Sequence, residues 1–279
     1  MLTLPDLLRQ RRCVMAPGVY DCLSAKSAEA AGFEAISISG YSFEAAHFGL
    51  PDLGFSGLTD IADAATRIKA CVNVPIICDA DTGYGGPANV RKTVQRLEST
   101  GIAAIHIEDQ ADPKKCGGLP GRTVISTQAM VEKIKAALDA RTSRDFLVIA
   151  RTDAKSSLGF EDAARRLNAY LDAGADLAFA AERYETDELI RLAKLVKGPL
   201  AICGGVPGWP GSFATAEEFG AMGIRLVIYP FSSLYVAARA MQDAYAAMHK
   251  DGGLSSSFAA GRMSGFDDFS RFIGVDKWS

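Results

Sequence analysis

Short runs rich in β-branched residues alternate with longer stretches of helical periodicity from one end of the chain to the other. Eight runs predict strands, at 14–16, 35–39, 74–79, 104–108, 146–151, 177–180, 200–202 and 226–228. Helices are predicted at 22–31, 59–71, 87–100, 127–141, 160–173, 186–196 and 232–249. Four segments, AAGFEAISIS, STGIAAIHIE, DAGADLAFAA and AMGIRLVIYP, each close a helix at a glycine (Gly32, Gly101, Gly174, Gly223) and open a strand just after it. Glycine there suits the left-handed residue that ends a helix.

The runs AISIS and FLVIA carry no charged residue and are dominated by apolar ones, the mark of strands buried on both faces in a parallel sheet covered by helices. Eight such units in one chain of 279 residues predict a (β/α)8 TIM-like barrel over 1–250, followed by a tail over 251–279. Polar groups collect just after the strands: Ser39-Gly40, Asp79 and Asp81, Glu108 and Asp109, Arg151 and Asp153, and Glu182. A barrel gathers all of these on the C-terminal rim, where βα-loops build active sites, whereas an open sheet would split them between two crevices. Phe266, Phe269, Phe272 and Ile273 in the tail fall at helical spacing, as expected of a helix packing on its own barrel or on a neighbouring subunit.

Composition narrows the partners. With 30 basic against 33 acidic side chains the chain lacks the cationic excess that binds nucleic acid or anionic membranes. No apolar run approaches the ~20 residues that span a bilayer, and residues 1–12 lack the pattern of a secretory signal. The expected compartment is the cytoplasm. Six scattered cysteines without a CxxC pair suggest neither a disulfide framework nor a zinc site, and all but Cys116 sit in or beside apolar runs and read as packing residues.

Four constellations can carry chemistry. Asp79-Ala-Asp81-Thr-Gly83-Tyr84-Gly85 offers hard oxygen ligands for Mg²⁺ or Mn²⁺, although an aspartate at a strand end also serves to cap the next helix. Glu108-Asp109-Gln110 follows the adjacent strand, so the acidic groups should converge, and a divalent ion would relieve their repulsion. The segment from Asp112 to Arg122 is rich in Gly, Pro and Lys and reads as a lid. Cys116 lies there among cations that would favour its thiolate; an incidental cysteine in a solvated basic loop is the alternative. Ser39-Gly40 could present amides to a carboxylate and Arg151 could clamp one, unless Arg151 is held in a structural pair with an aspartate. Asp52 faces the same rim, whereas His106 and His249 read as structural.

Read together, SGYSFEAAHFGLPDLG, DADTGYG, HIEDQ, KKCGG and IARTDA resemble the isocitrate lyase / phosphoenolpyruvate mutase superfamily, closest to its short members: methylisocitrate lyase, dimethylmalate lyase and oxaloacetate hydrolase. The resemblance covers nearly the whole chain. It implies the (β/α)8 barrel, with the final helix commonly swapped between subunits of a homotetramer built as a dimer of dimers. It implies Mg²⁺, with Mn²⁺ as substitute, contacted most directly by Asp81, with Asp79, Glu108 and Asp52 holding its waters. Ser39, Gly40 and Tyr41 would bind a substrate carboxylate through their backbone, with Gly117 beside them. Arg151 and Glu182 match an anion clamp and a polar partner, and Cys116 matches the catalytic cysteine of the gated loop. The implied reaction is retro-aldol (Claisen-type) cleavage of a small di- or tricarboxylate, such as a substituted malate, to a 2-oxo acid and a second carboxylate.

Three positions depart from the superfamily pattern: Gly118 stands for a histidine, Ser37 for an aromatic, and Gly204 marks where an asparagine is usual. All three are expected to enlarge the pocket. Three other functions compete. Hydrolysis of oxaloacetate or another 2-oxo acid would call for a serine near Pro230; a phosphonate mutase would lack the cysteine loop; a non-catalytic metabolite-binding barrel is the last.

Overall fold

The strands form where the apolar runs place them: β1 Val14–Val19, β2 Ile36–Ile38, β3 Ile76–Asp79, β4 Ala104–Glu108, β5 Leu147–Thr152, β6 Leu177–Ala180, β7 Leu200–Cys203 and β8 Ile224–Tyr229. Each pairs in parallel with its neighbours in sequence, and β8 closes on β1 through the register Val14↔Leu226 to Pro17↔Tyr229. The fold is thus the predicted (β/α)8 barrel. This computed structural model describes residues 2–278; Met1 and Ser279, the outermost residues of the two predicted segments, lie outside the described residues.

Side chains pointing into the barrel come in layers of four from alternate strands, as the tilt of a closed barrel requires. Ala35, Ala104, Leu177 and Leu226 fill one layer and Ala16, Ile77, Ile149 and Ala201 the next, all buried. Above them the chemistry changes: Ser37, His106, Phe179 and Ile228 form a mixed layer, capped by Asp79, Arg151 and Cys203 beside Gly18. A side chain on Gly18 would lie 2.6 Å from the Pro230 carbonyl, so close approach of backbone demands glycine there. Apolar layers below hold the strands in register while the polar layer faces the rim. The four repeated glycines do end their helices with positive φ, between 82° and 105°.

Among the helices that the periodicity did not place are two at the barrel's ends. Leu4–Gln10 starts at a Thr3/Asp6 capping box, and Gly40–Phe48 starts at Ser39, whose hydroxyl accepts from the Ser42 amide at 3.2 Å. The second was hidden because Gly40, Ser42 and Glu44 are all buried, leaving no polar face to set against an apolar one. The chain divides into two compact units, residues 1–232 and 233–279. The helix that follows β8, Ser232–Asp251, therefore falls almost wholly in the second unit, which also holds the helix Phe266–Ile273. Every site residue discussed below lies in the first.

Asp109 does not join the rim. Its carboxylate is fully buried and accepts from Thr152 Oγ1 and Tyr170 Oη (both 2.7 Å), the Asp153 amide (2.9 Å) and Arg166 Nη1 (3.2 Å). It ties β4 to β5 and to the helix Phe160–Asp172. Asp109→Ala should leave Arg166 buried without this partner and cost about 3–5 kcal/mol of stability, read as a lower urea midpoint at unchanged slope. A loss below ~1 kcal/mol would show that the network is dispensable.

Candidate active site

The rim gathers Asp52, Asp79, Asp81, Glu108 and Asp153, all buried. Asp79 ends β3, and its Oδ1 accepts from the Asp81 amide at 3.1 Å. Asp81 then takes a left-handed backbone (φ 47°), a conformation asparagine and aspartate reach more readily than other side chains. That turn is fixed from β4, where the Glu108 amide donates to the Asp81 carbonyl at 2.9 Å. Asp52 is positioned from below: Glu44 accepts from the Leu53 amide and from the amide and hydroxyl of Ser56, holding the loop that carries it.

The ammonium of Lys114 sits inside this crown, 2.6 Å from Asp81 Oδ1 and paired with Asp52. Burial pushes Asp81 up to about 7 despite Lys114, and it raises Asp52 and, strongly, Glu108. Asp79 alone is held below its usual range, because His106, Arg151 and Lys114 outweigh its burial. Lys114 itself is pushed well up, its carboxylate neighbours overcoming desolvation.

Arg151, at the end of β5, gives Nε and Nη2 to Asp153 (2.8 and 3.1 Å) and Nη1 to Glu108 (2.8 Å). The structural pair thus exists, and the same guanidinium also lines the cavity. Gly117 packs against it; an added Cβ would lie 3.0 Å from both Arg151 Nη2 and Asp153 Oδ1. Gly117→Ala should therefore push the loop off Arg151 and lower kcat/KM by about tenfold or more with the fold intact, since small misplacements near the chemistry cost catalysis. Unchanged kinetics would mean the loop tolerates the shift. His106 lies with Nδ1 3.4 Å from Asp79 Oδ1, too poorly aligned for a hydrogen bond. Burial lowers it to about 4, so it is neutral at pH 7.

The expected lid lies over the rim. Its Cys116 amide donates to the Asp52 carbonyl at 3.0 Å, and Gln110 is bonded to both the amide and carbonyl of Lys115. Contrary to the expected thiolate, Cys116 is buried and its thiol is pushed up to about 11, by desolvation first and Asp52 second. Arg151 and Lys114 do favour the thiolate, but they are outweighed, and Lys114 is paired with Asp52 and Asp81. Cys116 therefore keeps its proton as a thiol at pH 7.

Glu182 does not line this cavity. It accepts from Arg122 Nη2 (2.6 Å) and from the Lys155 and Ser156 amides, while Arg122 also donates to the Cys116 and Leu119 carbonyls. Glu182 thus anchors the lid's far end to the loop after β6. Ser39 and Tyr41 do line the cavity, at the N-terminus of the helix Gly40–Phe48, where backbone amides attract anions. Gly40 spends its own amide on Asp79 Oδ2 (3.3 Å).

The cavity holds some 480 Å³ of empty space, partly open to solvent. Two of the three departures, Ser37 and Gly118, line it. Ser37 lies at its floor, buried, with a hydroxyl that has no hydrogen-bond partner. A Cβ on Gly118 would come within 3.8 Å of the Trp209 indole, which occupies that side, and one on Gly204 would collide with Val227 and Tyr229, outside the pocket. The side chain reaching the pocket from β7 is Cys203, which the sequence left as packing. Lys114, His106 and Trp209 were also missed. The HIE alternation on β4 would have placed His106 on the same face as Glu108, and nothing local marks Lys114 or Trp209.

The residues suit a hard divalent cation. All donors are oxygens, the five carboxylates outnumber the cations Lys114, Arg151 and Arg122 that face them, Glu108 Oε1 is buried without a partner, and Lys114 shows that the crown draws a positive charge. Among the described residues no three His, Cys, Asp or Glu side chains form a ready ligand cluster, which is compatible with Mg²⁺ held by one or two carboxylates and waters.

Comparison with known proteins extends the picture. Residues 4–249 match the family model described as phosphoenolpyruvate phosphomutase. The 2,3-dimethylmalate lyase of Eubacterium barkeri is 38% identical over 272 residues, covering 98% of this chain and 93% of that protein. The solved structure of oxaloacetate acetylhydrolase with 3,3-difluorooxalacetate superposes with a TM-score of 0.91 at 32% identity, covering 99% of this chain and 93% of that one. Phosphonopyruvate hydrolase with oxalate and Mg²⁺ gives 0.87 at 30% identity, covering 98% and 94%.

Proposed function

The chain belongs to the phosphoenolpyruvate phosphomutase family, and from that premise we propose that it is a Mg²⁺-dependent carbon–carbon lyase acting on a substituted malate or related 2-hydroxy dicarboxylate. The observation that carries the reading is the buried, protonated Cys116 thiol in one cavity with the acidic crown and Arg151. Mg²⁺, for which Asp81, Asp79, Glu108 and Asp52 are the proposed holders, would stabilise negative charge developing on substrate oxygens.

The chain's own groups do the rest. Arg151 binds a substrate carboxylate beside the positive end of the helix Gly40–Phe48 and fixes the C2–C3 bond in the cavity. As the 2-hydroxyl loses its proton, that bond breaks, C2 becomes the carbonyl of a 2-oxo acid, and C3 carries the electron pair as an aci-carboxylate. Cys116 delivers its proton to C3. Burial disfavours the resulting thiolate, which recovers its proton from the basic group that took one from the 2-hydroxyl, so that the site ends as it began. The lid, held by Gln110, Arg122 and Glu182, keeps bulk water from protonating C3 in its place. Pro230 lines the cavity where the hydrolase branch would carry serine, which weighs against hydrolysis of a 2-oxo acid.

Incubating the protein and Mg²⁺ with a panel of 2-hydroxy and 2-oxo diacids tests this. Release of a 2-oxo acid from a substituted malate is expected; turnover of the 2-oxo diacids alone would overturn it in favour of the hydrolase.

Ser37 sets the expected size preference. Its small side chain beside Phe179 and Ile228 leaves space that a bulky alkyl or aryl malate fills better than methylisocitrate does. Ser37→Tyr should shift kcat/KM towards the smaller acids by about tenfold. The same preference in both proteins would place the substituent elsewhere, against Trp209 or Phe231. The proposed assembly is a homotetramer with the C-terminal helix exchanged, for which sedimentation should give four chains.

A further inference from the structure

Away from the cavity, two of the cysteines left as packing residues lie side by side. Cys22 is the first residue of the helix Cys22–Ala30 and Cys71 the last of the helix Leu58–Cys71, and both are half-buried. The Cys71 sulfur lies 3.8 Å from the Cys22 carbonyl oxygen and 3.1 Å from that of Ile68, which brings the Cys71 thiol against the residue that carries the Cys22 thiol. The helices are locked together at this level, because Glu29 of the first accepts from the Asn73 and Val74 amides that follow the second. A surface pocket lined by Cys22, Arg67 and Ile68 opens onto the pair from the side of Cys22.

We propose that Cys22 and Cys71 are a dithiol modification site, oxidised to an intramolecular disulfide by small-molecule disulfides such as oxidised glutathione. Cys22, reached through the pocket, attacks one sulfur of the oxidant, forms the mixed disulfide and releases one glutathione thiolate. Cys71 loses its proton to solvent and attacks the Cys22 sulfur, so that the Cys22–Cys71 bond forms and the second glutathione leaves. Two electrons pass from the protein thiols to the oxidant. The other cysteines do not compete: Cys78 is fully buried, Cys116 and Cys203 lie in the catalytic cavity behind the lid, and Cys13 lies at the opposite end of the barrel, at the start of β1. The segment between the paired cysteines carries Ser39, Tyr41 and Asp52, so the bond would staple the two helices flanking that stretch of the site.

The test treats the whole chain with oxidised glutathione, blocks remaining thiols, and maps the peptides by mass spectrometry before and after reduction. Wild type should yield one cross-linked peptide pair joining Cys22 to Cys71, lost on reduction. Cys71→Ser should instead accumulate glutathione on Cys22, because the resolving thiol is gone. Failure to find the linked pair in wild type, or Cys22 glutathionylated to the same extent in wild type and Cys71→Ser, would overturn the proposal. Neither readout depends on turnover.

Discussion

Replacing Cys116 with alanine should lower turnover by about 10²–10⁴-fold, the range expected when a positioned proton donor is removed. The fold should survive. Cys116 belongs to the lid and not to the apolar layers of the barrel, so the stability change should stay within about 1 kcal/mol. Cys13→Ala is the control, since that thiol opens β1 at the opposite end of the barrel from the rim. A thiol that served only to fill space would give a Cys116→Ala enzyme of near wild-type rate, and equal losses in both variants would remove its special role. Restoring volume with Cys116→Ser should not restore rate, because a hydroxyl is a far weaker acid than even a buried thiol.

Asp81→Ala should be as damaging, with turnover falling about 10³-fold or more, because it removes the proposed direct ligand. Chelation of the wild-type enzyme should do the same, with recovery on adding Mg²⁺ or Mn²⁺. Calorimetry separates metal loss from collapse: wild type should bind Mg²⁺ and the variant should not, while both melt cooperatively. Lys114 would keep Asp52 as a partner in the variant, which is why the rim is expected to hold together. Full activity in exhaustive EDTA would contradict the assignment.

Strand and helix positions were legible because apolar runs alternate with helical periodicity throughout, and in four units a glycine marks where the helix closes. Asp79, Asp81, Glu108 and Arg151 could be placed on one rim from that alone, since a closed barrel forces strand ends together. The charge state of the site was not legible. Cys116 has Lys114 and Lys115 beside it in sequence, yet Lys114 turns into the carboxylates and leaves the thiol to desolvation. Asp109 follows Glu108 directly, but the alternation of a strand sends neighbours to opposite faces, and Asp109 ends among Thr152, Arg166 and Tyr170. Glu182 looked catalytic because it follows β6; it is instead claimed by Arg122, sixty residues away in the chain. Trp209, which fills one side of the pocket, depends on how a long loop returns to the rim, which no local pattern encodes.

The most direct test of bond cleavage is the reaction followed by NMR in D₂O with a substituted malate, Mg²⁺ and the intact enzyme. Retro-aldol cleavage assisted by Cys116 predicts a 2-oxo acid and a second carboxylate in equal amounts, the latter bearing one solvent deuteron at the carbon that was C3. No cleavage of any 2-hydroxy diacid, with oxalate formed from oxaloacetate instead, would contradict the lyase and identify a hydrolase.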